Sequence, residues 1–258
     1  VAGLGQRIAE PVREVLGEVA RAVPGGMERA HRRAAERIRR AADRFDESER
    51  RLADSVPTYT VDRKGNVRRL MPDGSSRPVD QSDPASVRKL VDQDGRVPVK
   101  KKNDQYNLSN TNRPRRRVSS DRVAWDRGAL QWATQRARLA ANDRGGSNYA
   151  AYRYEGDDGD FILVGRSHSR GGHSEQNAGI PFDAARNRLD GWVTGLHSER
   201  EPCHGPGMRK CDEWVGTFVQ GEDEELPTTH STPYGDTRER RRQDNAVHRR
   251  YRDWLFGP

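Results

Sequence analysis

The chain is 258 residues long and carries as much charged residue (33%) as hydrophobic (32%). That balance is too polar for one compact core throughout, and it predicts a modest globular domain with polar helical or extended segments around it. A formal net charge of +8 suits a polyanionic partner, nucleic acid before a membrane surface. No apolar run approaches membrane-spanning length, so neither a membrane span nor a signal peptide is expected. Two cysteines make no disulfide framework and fit a reducing compartment at the place of action. The first residue is Val1 rather than Met, so a longer parent chain is expected.

Taken in order, residues 1–55 read as a helical hairpin or coiled segment. Leu4, Ile8, Val12, Val15 and Val19 recur at helical spacing, Pro24-Gly25-Gly26 breaks the run, and Ala34, Ile38, Ala41 and Phe45 make a second stripe. Residues 56–118 read as a connector. Val61-Asp62-Arg63-Lys64-Gly65-Asn66-Val67 and Val91-Asp92-Gln93-Asp94-Gly95-Arg96-Val97 share the pattern Val-Asp-x-x-Gly-x-Val. Each places a glycine in a tight turn between β-prone runs, which predicts two hairpins. A polar linker over 103–118 follows, with Arg113 and Arg115 to Arg117 expected in solvent or on phosphates.

Residues 119–258 form the predicted main domain. Ser119 or Ser120 caps a helix to about Asn142; strands at 149–154 and 161–164 form a hairpin; a glycine-rich loop leads into His173. A helix begun there meets Gly179 and Pro181, which should interrupt it. Then come a strand at 192–197, a helix at 210–218, a strand near 228–234 and an Arg-rich helix from Asp236 to about Leu255. This order predicts an α/β domain, a three-layer α/β/α sandwich with a mixed sheet, preceded by helical and irregular segments. Tyr149, Trp192 and Tyr234 are candidates for stacking on a base, with burial in the core as the alternative for each.

The chemistry concentrates in 173–211. His173-Ser174-Glu175 is followed by Pro202-Cys203 and then Cys211, and both cysteines of the chain fall in this run. His-x-Glu with a later Pro-Cys…Cys is the signature of zinc-dependent nucleobase deaminases. One imidazole and two thiolates fill three tetrahedral positions on Zn²⁺ and leave the fourth for water. Glu175 is then the general acid/base. A second His-Ser-Glu at 197–199 competes with the first; His173 is preferred as the ligand, and His197 and Glu199 are expected at a solvated strand end.

The stretch resembles the deaminases found as C-terminal domains of bacterial polymorphic toxins, a branch of the cytidine deaminase-like superfamily. Ser198-Glu199-Arg200-Glu201-Pro202-Cys203 carries the likeness, over roughly 120–258. The sequence departs from the family in the seven residues between its cysteines, in Gly179 and Pro181, and in the duplicated triplet. The resemblance implies deamination of cytosine in nucleic acid, single-stranded DNA before double-stranded DNA or RNA. It also implies delivery from the producing bacterium into the cytoplasm of a target cell, and a cognate immunity protein. Two other readings stay open: a free nucleoside or nucleotide deaminase, and a non-catalytic zinc-stabilised nucleic-acid-binding module.

Overall fold

The computed structural model describes residues 55–101, 104–126, 128–168, 171–205, 208–221 and 225–257. The expected helical hairpin at 1–55 therefore lies outside the described residues, apart from Ser55. Eight strands make one mixed sheet: β1 (Thr58–Val61), β2 (Val67–Leu70), β3 (Ser76–Pro78), β4 (Asp121–Arg122), β5 (Tyr149–Glu155), β6 (Phe161–Arg166), β7 (Trp192–Arg200) and β8 (Thr228–Thr232). Their order across the sheet is β3-β2-β1-β6-β5-β7-β8-β4. β1 runs parallel to β6, β7 parallel to β8 and β8 parallel to β4, while β5 is antiparallel to both its neighbours. The C-terminal ends of β1, β6, β7 and β8 and the start of β5 thus share one end of the sheet.

Five helices lie among the described residues: α1 (Ala85–Leu90), α2 (Ala129–Ala140), α3 (Ser174–Ala185), α4 (Cys211–Phe218) and α5 (Arg238–Phe256). The two-residue period of β5 and β6 sorts the core into two layers. Ala150, Tyr152, Tyr154, Phe161 and Leu163 pack under α1, α3 and α4 with Ile180, Phe182, Trp214 and Phe218. Tyr149, Ala151, Ile162 and Val164 face the other way, against Ala133 and Ala137 of α2. α5 covers that second face too, where Tyr251 meets Trp125 edge-on at 5.7 Å between ring centres. This is a three-layer α/β/α domain.

Several expectations are corrected. Residues 56–101 are not a detached connector, because β1, β2 and β3 extend the same sheet past β6. The repeated Val-Asp-x-x-Gly-x-Val runs form two like turns, but only the first joins strands. In each, an aspartate Oδ1 accepts two backbone N–H groups, Lys64 and Asn66 at Asp62, Asp94 and Arg96 at Asp92. The turns bond to each other through Val67 N to Gly95 O and Val97 N to Gly65 O. Arg113, Arg115 and Arg117 of the linker are exposed, as expected, but they also pair with carboxylates: Arg115 with Glu213 at 3.5 Å, Arg117 with Asp212 at 3.7 Å, and Arg113 with Asp183. α2 is capped by Gly128 rather than by Ser119 or Ser120, since Gly128 at φ 98° sits outside helical space and Asp121–Arg122 pairs with β8 instead. α3 continues through Gly179 and Pro181. Gly179 lets α3 pack against α4, for a Cβ there would stand 2.7 Å from the Trp214 ring.

Candidate active site

Three elements bring the expected ligands together at the shared end of the sheet. His173 is the N-cap of α3, and Gln176 Oε1 accepts its backbone N–H at 3.2 Å. Cys203 lies just beyond β7. Lys210 takes a left-handed conformation (φ 49°), uncommon for a residue with a Cβ, and so turns the chain for Cys211 to open α4. The Cys211 N–H points at Cys203 Sγ, 3.4 Å away. His173 Nδ1 is 3.1 Å from Cys211 Sγ and 3.6 Å from Cys203 Sγ, and the three ligand atoms lie within 4.8 Å of one another.

This donor set fits a metal. Tetrahedral zinc, with Zn–N near 2.0 Å and Zn–S near 2.3 Å, holds nitrogen and sulfur about 3.6 Å apart. Both cysteines are free and buried. The Cys211 thiol beside it, together with His173, pulls Cys203 down to about 4, so one thiolate is present at neutral pH. Burial pushes Cys211 up, helped by Cys203 and Glu175. Two helix N-termini, those of α3 and α4, point their partial positive charge at the cluster and favour anionic sulfur.

Glu175, on the first turn of α3, is 2% exposed. Its Oε1 accepts from Ser198 Oγ at 2.8 Å and Asn148 Nδ2 at 3.3 Å; its Oε2 accepts from Ser174 Oγ at 3.0 Å. Burial pushes this carboxyl upward, against the pull of His173. Asn148 is a hub that sequence reasoning passed over: its Nδ2 also reaches Ser174 Oγ and Ser198 Oγ, and its Oδ1 accepts Arg200 N–H. A polar residue directly ahead of a strongly apolar strand was the available signal. Ser198 was visible as the middle of the second triplet and the start of the Ser198–Cys203 run, but with no role assigned to it.

Residues 145–251 match the Xanthomonas-like deaminase family. No curated protein and no solved structure matches the chain. The deaminase-like segment contains His173, Glu175, Cys203, Cys211 and Asn148, so the metal-capable cluster and its buried carboxylate fall in the part of the chain that is deaminase-like.

The second triplet has a different place. Alternation along β7 turns His197 and Glu199 to the α2 face and Ser198 to the α3 face, so neither His197 nor Glu199 is at a solvated end. His197 is 1% exposed and Glu199 fully buried. The His197 ring nitrogens meet Thr229 Oγ1 at 2.9 Å and Ser231 Oγ at 3.1 Å. Among the described residues the cluster has three such ligands, and His197 is not one of them. Of the stacking candidates, Tyr149 is buried with its OH on Asp143. Trp192 is 64% exposed but opens β7, at the opposite end of the sheet from Cys203. Tyr234 stands at the site's end, as the buried Tyr149 does, but is only half-buried, with the Arg200 guanidinium 5.2 Å from its ring centre.

Burial holds His197 down at about 3 and His248 at about 4, against roughly 6.5 for an unfolded histidine. Both are therefore neutral in the folded protein. The stability tied to that state is complete above about pH 6.5 and is lost as pH falls toward the folded values. Two protons taken up on unfolding give a slope of at most about 2.7 kcal/mol per pH unit between pH 6 and 4. Urea unfolding across that range should show this loss, and His248→Asn should halve the slope. A wild-type midpoint that stays flat from pH 7 to 4.5 would contradict it.

Proposed function

We propose that this domain hydrolytically deaminates a nucleobase in nucleic acid, cytosine before adenine, with single-stranded DNA favoured over double-stranded DNA and RNA. We place it as a toxin domain that a bacterium delivers into the cytoplasm of a target cell, countered in the producer by an immunity protein. The observation that carries the chemistry is Glu175, a buried carboxylate two residues past the imidazole of a His-Cys-Cys cluster within a deaminase-like segment. His173, Cys203 and Cys211 would hold zinc, which would supply a Lewis acid and bring the pKa of bound water to about 7.

The reaction exchanges the exocyclic amine for oxygen: water adds at the ring carbon, and ammonia leaves. Glu175 relays the two protons of the water in turn, the first to the ring nitrogen and the second to the amine, which departs as ammonia. Oε1 is engaged by two donors and Oε2 by one, so Oε2 is the atom with a lone pair to carry each proton. Ser174, Ser198 and Asn148 fix the carboxylate's orientation. Arg238, Arg240, Arg242, Arg249 and Arg250 stand exposed on α5, which suits a polymer of phosphates better than a free nucleoside.

The test is product formation in single- and double-stranded DNA, in RNA and on free cytidine across a salt series, with metal measured on the same protein. Uracil should form in single-stranded DNA and fall steeply with salt, the log–log slope being about −0.7 per phosphate contacted. His173→Ala should lose the metal and His197→Asn keep it. Salt-insensitive turnover of free cytidine would favour the nucleoside enzyme. Metal-loaded protein that deaminates none of these would leave the zinc-stabilised binding module.

A further inference from the structure

A second opening lies at the same end of the sheet. β1 is parallel to β6 with Val61 beside Gly165, so the turn after β1 and the loop after β6 emerge side by side. Between them is a cavity of about 770 Å³, bounded among others by Asp62, Arg63, Lys100, Arg166, His168 and Asn177. It adjoins the site along the chain at two points, for Gly172 and Ser147 also line it; the first precedes the cluster residue His173 and the second precedes Asn148, which donates to Glu175. Its size is that of a ligand cleft, roughly 300–1,000 Å³, with room for a nucleotide rather than a lone ion.

The walls are cationic and poorly neutralised. Among the described residues Asp62 is their one carboxylate, and it is committed to its own turn: Oδ1 accepts Lys64 and Asn66 N–H, and Oδ2 accepts Asn66 Nδ2 at 2.7 Å. Arg166 shares its charge with Asp143, at 2.9 Å. Arg63 is exposed and has no ion-pair or hydrogen-bond partner among the described residues. Lys100 Nζ donates to the carbonyl of Tyr106 at 3.0 Å; the charge of Asp104 reaches it, but no carboxylate stands within ion-pair distance among the described residues. His168 Nε2 is shielded from solvent without a hydrogen-bond partner. Three separate segments thus bring like charges to one concavity, an arrangement that repels itself until an anion enters.

We propose that this cavity is a phosphate subsite for the nucleotide that carries or flanks the reacting base, with Arg63 and Lys100 as its principal ligands. The assignment rests on the deaminase reading for its position beside the reacting base. Arg63 and Lys100 precede the deaminase-like segment, so the subsite is an addition that β1, β2 and the strap after them make to that domain. It ties catalysis to a phosphorylated substrate, because a nucleoside fills the base site and leaves the cavity unmatched.

The test is calorimetric binding of a short single-stranded oligodeoxynucleotide, 5′-CMP and cytidine to the metal-loaded full chain. Variants Arg63→Gln, Arg63→Gln/Lys100→Gln and Lys64→Gln are compared, the last removing the same charge from the same turn but outside the cavity lining. Hydrogen bonds to charged groups contribute about 1.5–3 kcal/mol, so Arg63→Gln should cut the oligonucleotide-to-cytidine affinity ratio by about tenfold or more, and the double variant further. Lys64→Gln should stay within about twofold. Loss on the oligonucleotide alone identifies a phosphodiester of a polymer; equal loss on 5′-CMP identifies a phosphomonoester. Equal losses for Arg63→Gln and Lys64→Gln, unchanged ratios, or no binding of either phosphorylated ligand would overturn the subsite. Arg63-dependent binding without any deamination would retain the anion site and remove the deaminase reading.

Discussion

Glu175→Gln should lose turnover by about 10²–10⁴-fold while keeping the fold and the metal. A positioned general acid/base contributes about that much, and glutamine cannot carry the proton. The substitution is otherwise nearly silent, since Gln Oε1 can still accept from Ser198 and Asn148 and its amide can donate to Ser174 Oγ. Stability should hold or rise. Burial raises the Glu175 carboxyl, so the folded protein without metal disfavours the ionised form as pH rises from the unfolded pKa through the folded one. A neutral amide removes that penalty. Metal content, urea midpoint and product formation on one preparation settle the matter. Turnover within about threefold of wild type would remove Glu175 from the chemistry, and lost metal would make it a part of the cluster.

What the sequence made legible was the local and the chemically unusual. Only two cysteines exist, both close to a His-x-Glu, so the cluster could be read from spacing, and the strong apolar runs at β5 and β6 could be read from composition. What stayed hidden depended on distant pairing. β1 is four residues long and reads as one arm of an isolated hairpin; its place beside β6 is set by Val61 meeting Gly165 across about a hundred residues. Arg113, Arg115 and Arg117 are exposed as they read, but their pairing with carboxylates of α3 and α4 could not be seen in the sequence. His197 and Glu199 are the sharpest case. Polar residues at a strand end suggest water, yet their face is closed by α2 and α5, and a guanidinium from α2 supplies the countercharge. Periodicity showed which residues share a face, but not that the face would be covered.

That buried pair should have the largest effect on the fold. Arg138 and Glu199 are each fully shielded and meet in a two-pronged contact, Nε to Oε1 at 2.7 Å and Nη2 to Oε2 at 2.6 Å. Truncating one partner leaves the other charge buried and unpaired, so Arg138→Met or Glu199→Leu alone should destabilise by about 3–5 kcal/mol. Against a total of about 5–15 kcal/mol, such variants are largely unfolded or barely folded. The double variant Arg138→Met/Glu199→Leu should regain most of that loss, because apolar replacement of a whole buried pair is often neutral. Recovery stays incomplete, as the backbone N–H of Tyr149 loses its acceptor Glu199 Oε2. Function should not return with stability. Arg138 also donates to the carbonyls of Asp143, Gly145 and Ser147, gripping the loop that leads into Asn148, and Asn148 Nδ2 reaches Glu175. With the guanidinium gone, Asn148 loses its fixed position and the carboxylate one of its orienting donors. The double variant should therefore melt near wild type yet turn over at least about tenfold more slowly, with metal content intact. Recovery of both stability and full turnover would show the pair to be a fold element alone, with Asn148 positioned by the strand that follows it.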